Sequence, residues 1–185
     1  MFAFKTQTAI AGGSPGETYT QAQMNAVGLT PGQIMTKTPV DSAYGPDRAW
    51  ILAYNASGAA HVADYCYAVG GIDTTDNKSP AAVTATTPAA SDEIMVGVAA
   101  AATPDNYWGW YLIQGQCTIT LASDTYVEGE GLTIDISEVT GAEVVGTNAA
   151  YSHLNTEFAY IKTAITGAAT TGTAILTGNL AVAAA

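Results

Sequence analysis

The sequence predicts an all-β fold: an antiparallel β-sandwich or barrel-like domain with an extended N-terminal arm. Three observations predict it. Residues 107–135, YWGWYLIQGQCTITLASDTYVEGEGLTID, alternate apolar and polar positions with the period of a strand. Further short apolar runs recur between Gly, Pro, Asn and Asp clusters at the spacing of a sandwich or barrel. Residues 1–40, by contrast, are rich in Gly, Thr, Pro and Gln and poor in large apolar side chains. The expected division is therefore an arm over 1–40 and a β domain over 41–185.

In the arm, Pro15, Pro31 and Pro39 interrupt any regular element. The stretch YTQAQMNAV at 19–27 suits two helical turns, too short to be stable without docking on something. Phe2, Phe4, Ile10, Tyr19, Met24, Val27, Leu29, Ile34 and Met35 are the apolar anchors with which such an arm would grip a partner or a neighbouring subunit. Fully extended at ~3.3 Å per residue, the arm would reach on the order of 100 Å.

After a GPD turn at 45–47, residues 50–54 read as a strand and NASG at 55–58 as a turn, because Asn and Gly accept positive φ cheaply. Residues 62–69 supply a second strand, so the two suggest a hairpin-like unit. Residues 74–90, rich in Thr and Ala and interrupted by Pro80 and Pro88, read as a surface loop. Strands follow at 94–99, 107–114, 117–121, 126–127, 132–136 and 143–145. Within 107–114, Trp108, Trp110 and Leu112 share one face while Tyr107, Tyr111 and Ile113 share the other, so burial on both sides is expected. Tyr151, Leu154, Phe158, Ile161 and Ile165 recur at helical spacing, yet the aromatics and threonines between them suit a strand equally, and both readings stay open. A final strand is expected within 170–185.

Five basic residues against sixteen acids give a formal charge of −11, which excludes phosphate-backbone recognition; no nucleic-acid partner is expected. No stretch of ~18 apolar residues marks a membrane span, and the N-terminus lacks a signal-peptide core, so the expectation is a soluble protein made in a cytoplasm. Cys66 and Cys117 each sit in an apolar β-like setting and read as reduced core thiols.

Catalytic spacings are missing: there is no nucleophile elbow, no phosphate-cradling loop and no His-Glu-x-x-His. Neither histidine has a second ligand nearby; His61 reads as a partly exposed strand residue and His153 as a loop or element-start residue. Asp124, Glu128 and Glu130, and likewise Asp73, Asp76 and Asn77, supply fewer oxygens than calcium prefers, so both groups read as solvated turns. No catalytic residue, metal or cofactor is expected, and the chain does not read as an enzyme. Tyr107, Trp108, Trp110 and Tyr111 would suit a sugar-stacking platform by chemistry, but a strongly alternating strand in mid-sequence reads as core.

Four short motifs carry a family resemblance. GPDRAWILAYNASG at 45–58, IMVGVAAAA at 94–102, WGWYLIQG at 108–115 and the Val127-x-Gly129-x-x-Leu132 turn together resemble the decoration, or cement, proteins that coat tailed-bacteriophage heads, over residues 43–145. The resemblance implies a structural virion protein on the outer capsid surface, synthesised in the host cytoplasm. Its partner would be the major capsid protein, its oligomer a trimer, and its work the bridging of neighbouring capsomers. The alternative is a fibre, spike or adhesin-type module that binds glycans through aromatics, although no fixed internal repeat accompanies it.

Overall fold

The computed structural model describes residues 13–37, 47–73, 75–84, 93–134, 144–146, 157–178 and 180–182. They form one short helix, α1 (Gln21–Ala26), and the strands β1 (Ile34–Lys37), β2 (Arg48–Asn55), β3 (Cys66–Asp73), β4 (Lys78–Thr84), β5 (Glu93–Ala99) and β6 (Trp108–Tyr126). β7 (Gly131–Ile134), β8 (Val144–Gly146), β9 (Ala159–Ile161), β10 (Ile165–Thr177) and β11 (Leu180–Val182) complete the sheet. The all-β class holds, and the sheet is mixed: β2 runs parallel to β4, and β6 parallel to β8.

The strand pairings close two rings. β2, β4, β3, β5 and β6 bond in that order and β6 returns to β2; β6, β10, β9, β7 and β8 bond in that order and β8 returns to β6. The 19-residue β6 is the strand they share, its first part pairing β2 and β5 and its second part pairing β10. Closure removes edges that would otherwise pair with other chains.

One residue of slippage lets β6 serve both rings. Ala49 faces Gln114 but Trp50 faces Leu112, so Ile113 is extra and the strand bulges there. Before the bulge the even positions Trp108, Trp110 and Leu112 enter the larger core cluster; after it the odd positions Ile119 and Leu121 do, with Cys117 packed against them. Gly115 follows at φ 102°, and a Cβ there would lie 2.8 Å from the Asp47 carbonyl oxygen, so a glycine is required. The Gln-Gly step therefore lies inside one continuous strand and not between two.

Ala49, Ile51, Ala53, Tyr67, Val69, Ala82, Ala99, Tyr111 and Ile113 form a second cluster drawn from all five strands of the first ring, on the face opposite the larger cluster. On β2 small side chains alternate with a large one, Ala49 and Ala53 flanking Ile51. The opposite faces of β2 and β6 carry Trp50, Leu52, Trp108 and Trp110, and these are covered by the N-terminal segment.

That segment lies on the sheet. Tyr19 pairs with Trp108, and α1 begins in a capping box in which Thr20 and Gln23 each accept the other's backbone N–H. Met24 and Leu29 enter the same core, and β1 joins β2 in antiparallel register from Ile34 opposite Ile51. A six-residue helix is marginal alone, and the buried Met24 supplies the docking it needs. Residues 13–37, expected to belong to the arm, are thus packed on the β domain; the rest of residues 1–40 lies outside the described residues.

Other elements also depart from expectation. Residues 78–84, expected as loop, form β4, inserted between β2 and β3, so those two strands make no hairpin. Of the segment left open between helix and strand, Ala159–Ile161 and Ile165 are strand, while Tyr151 and Leu154 lie outside the described residues. Residues 55–58 turn as expected: Asn55 Oδ1 accepts from Ser57 N, and its Nδ2 donates to the carbonyls of Ala59 and Thr103. Among the described residues no helix is long and apolar enough to cross a membrane.

Candidate functional site

The aromatic stretch is the first candidate, and its position decides its use. Trp108, Trp110 and Tyr111 are 1 %, 1 % and 0 % exposed, and Tyr107 is half-buried. Trp108 packs tilted on Tyr54 with ring centroids 5.4 Å apart, and its Nε1 donates to Gln21 Oε1 at 3.1 Å. Flat faces held this way are unavailable to a sugar.

A second aromatic group closes one end of the first ring. His61 bonds Thr103 through the backbone in both directions, N to O at 2.8 Å and O to N at 3.1 Å. Its ring stacks on Tyr67 with centroids 3.6 Å apart and meets Tyr111 edge-on, with Nδ1 2.7 Å from the Tyr111 hydroxyl. His61 is 1 % exposed, which corrects the expectation of a partly exposed strand residue. Burial lowers its pKa to about 3, so the imidazole is neutral at ordinary pH. Burial likewise pushes Tyr67 up to about 12 and Tyr111 higher still.

A third group lies around the Tyr54 hydroxyl, which donates to Asp76 Oδ2 at 2.7 Å and sits 2.9 Å from Asn106 Oδ1. Burial first, then Asp76, raise its pKa far above the usual range. Asp73 accepts from the backbone of Thr75 and Asp76, and Asp105 from Gly58 N, so these carboxylates organise turns. In the other acidic loop, Glu130 accepts from Val127 N at 2.9 Å while Glu128 is exposed. Among the described residues no group of three His, Cys, Asp or Glu side chains is placed to hold a metal ion. His153 lies outside the described residues.

The expected anchors are divided. Tyr19, Met24 and Leu29 are buried in the chain's own core, Ile34 and Met35 are half-buried against it, and Val27 is exposed. Phe2, Phe4 and Ile10 lie outside the described residues. Val27 joins Glu17, Thr18, Tyr19 and Gln23 along an open groove of about 390 Å³. Inside that groove the Tyr19 hydroxyl donates to Glu17 at 2.6 Å; burial and then this bond raise its pKa. Sequence reasoning missed the His61 group because its members come from three separated segments, and no local period joins them.

No protein-family model, curated protein or solved structure matches the chain.

Proposed function

We propose that the chain is a structural virion protein that decorates the outer surface of a phage head and stabilises it by bridging neighbouring capsomers. The observation that carries the reading is the burial of the WGWY stretch: the side chains best suited to stacking a ligand instead lie in the chain's own core. What the molecule offers a partner is then a stiff body with an acidic surface, which suits mechanical work on a lattice. The sequence resemblance over residues 43–145 supplies the kind of lattice.

The partner is the major capsid protein, and the decorating unit is a trimer at three-fold positions. Specific association needs about 800 Å² per partner, and many copies acting together multiply a modest gain in each. Phe2, Phe4 and Ile10, with Val27 beside the groove, are the anchors left for docking, since Tyr19, Met24 and Leu29 serve the fold. The same burial of Trp108, Trp110 and Tyr111 weighs against the glycan-binding alternative.

Cosedimentation of the purified chain with expanded, undecorated heads of the virus that encodes it tests the proposal. Saturable binding and a higher disruption temperature of the heads are expected. Removing residues 1–12 should abolish binding while circular dichroism stays that of a β protein. Absence of binding by the full chain, together with hits on a glycan array, would replace this reading by the alternative.

A further inference from the structure

We propose that His61 is an acid-sensitive latch on the first ring: protonating its imidazole releases the two segments, 60–65 and 100–104, that close that end of the barrel. The inference is independent of what the surface binds.

The geometry fixes which nitrogen is at issue. His61 Nδ1 and the Tyr111 hydroxyl lie 2.7 Å apart, and either can donate according to the imidazole tautomer. The second nitrogen, Nε2, is buried with no hydrogen-bond partner among the described residues. In the protonated ring both nitrogens carry a proton, so the imidazolium is a buried cation whose Nε2–H has no acceptor, which is far more costly than the neutral ring.

Among the described residues nothing in contact with the ring offsets that charge. The titratable groups in contact with the ring are Tyr67 from β3 and Tyr111 from β6, both neutral throughout the acid range. Cys66, next to Tyr67, keeps its proton through burial. The carboxylate of the 100–107 loop, Asp105, is engaged with Gly58 N. Asp64, on the segment of His61 itself, has its pKa raised by burial and exerts no resolved pull on the imidazole. The Tyr67 hydroxyl accepts from Val62 N at 2.8 Å, so the stacking partner of His61 also holds the following backbone. Displacing the imidazole therefore loosens the turn and the His61–Thr103 bridge together.

The sign follows from proton linkage. The folded pKa lies below the unfolded value of ~6.5, so the unfolded or opened chain binds the extra proton and stability falls as pH falls. The effect begins near pH ~6.5 and continues down to about 3, the open-to-closed ratio rising by up to about tenfold per pH unit.

The test uses the full chain and its His61→Gln and His61→Phe variants. Urea unfolding constants would be measured from about pH 7.5 to about pH 4.5. Differences between the chains cancel the carboxylates that all three share. The wild-type constant should rise up to about tenfold per pH unit more steeply than either variant below pH ~6. Parallel slopes would overturn the proposal. If neither variant folds, imidazole NMR on the wild type decides. With only two histidines in the chain, the His61 signal can be assigned directly. It should hold its neutral shift to below pH ~5, and titration near ~6.5 in the folded protein would overturn the latch equally.

Discussion

Tyr19 and Trp108 bond each other's backbone in both directions, N–H to carbonyl, each at 2.8 Å. The pair clips the N-terminal segment onto the strand that the two rings share. From there α1 lays Met24 into the core, and Gly32 N and Gln33 O bond Leu52 on β2. Met24→Ala should therefore cost about 2–5 kcal/mol of unfolding free energy, because it leaves a cavity over the tryptophans. Deleting residues 1–37 should shift tryptophan emission to the red and remove cooperative urea unfolding. Unchanged unfolding after that deletion would mean that the clip contributes nothing to the fold.

Gly97 faces the smaller core cluster, where a Cβ would lie 2.8 Å from Tyr111 Cβ and 2.9 Å from Val69 Cγ2. Neither atom is the free end of a flexible chain. Gly97→Ala should destabilise by about 1–3 kcal/mol through overpacking, and Gly97→Val by more. Gly16, with nothing within 4 Å of its virtual Cβ, is the matched control and should tolerate Ala within about 0.5 kcal/mol. Equal urea midpoints for the two alanine variants would contradict the packing described for the ring.

These two sites show what the sequence discloses. The two-sided burial of residues 108–113 was legible because alternating Trp, Tyr, Leu and Ile leave no polar face. β4 was not legible, because Pro80 breaks the pattern and Ala81 and Ala82 carry little hydrophobic signal. The register explains how the strand survives: β3 pairs Lys78 and then Ala81, so Pro80 falls in a gap where no ladder bond is needed, and Ala82 packs in the smaller core cluster. Tyr19 and His61 were misjudged for another reason. Their partners, Trp108 and Tyr111, lie far along the chain, and neither composition nor period reports such contacts. Of the expected anchors in 13–37, Tyr19, Met24 and Leu29 proved to be core.

At the alkaline end, Tyr67 and Tyr111 set a limit. Burial raises both above the ordinary tyrosine value of ~10, Tyr67 to about 12 and Tyr111 beyond that. The folded state then holds its phenolic protons more tightly than the unfolded state, so stability is fully present below pH ~10 and is lost as pH rises from there through 12. Absorbance at the phenolate wavelength should show Tyr67 and Tyr111, with the likewise buried Tyr54, ionising only as the chain unfolds. Tyr67→Phe should shift the alkaline midpoint upward, and an unchanged midpoint would show that Tyr67 does not set it.

Cys66 and Cys117 are both free, the first fully buried and the second half-buried on β6. Reaction with a disulfide reagent needs the thiolate, so ionisation and access act together. Burial, reinforced by the neighbouring Cys117, pushes Cys66 well above the ordinary thiol value. Cys117 is pushed up to about 12, chiefly by burial and further by Asp64. At pH ~8 that leaves on the order of one thiolate in ten thousand at Cys117, against roughly one in four for a free thiol. The native chain should thus react on the order of a thousandfold more slowly than an exposed cysteine, and both thiols should be released together in guanidinium. Cys117→Ser should leave a native thiol that is slower still, since Cys66 has no exposed surface. Rapid labelling of two thiols in the native state would instead require the junction between the rings to open on the timescale of the reaction. The folding of β6 as one continuous strand would then have to be reconsidered, because Cys117 lies just beyond Gly115, where the bulge hands that strand from one ring to the other.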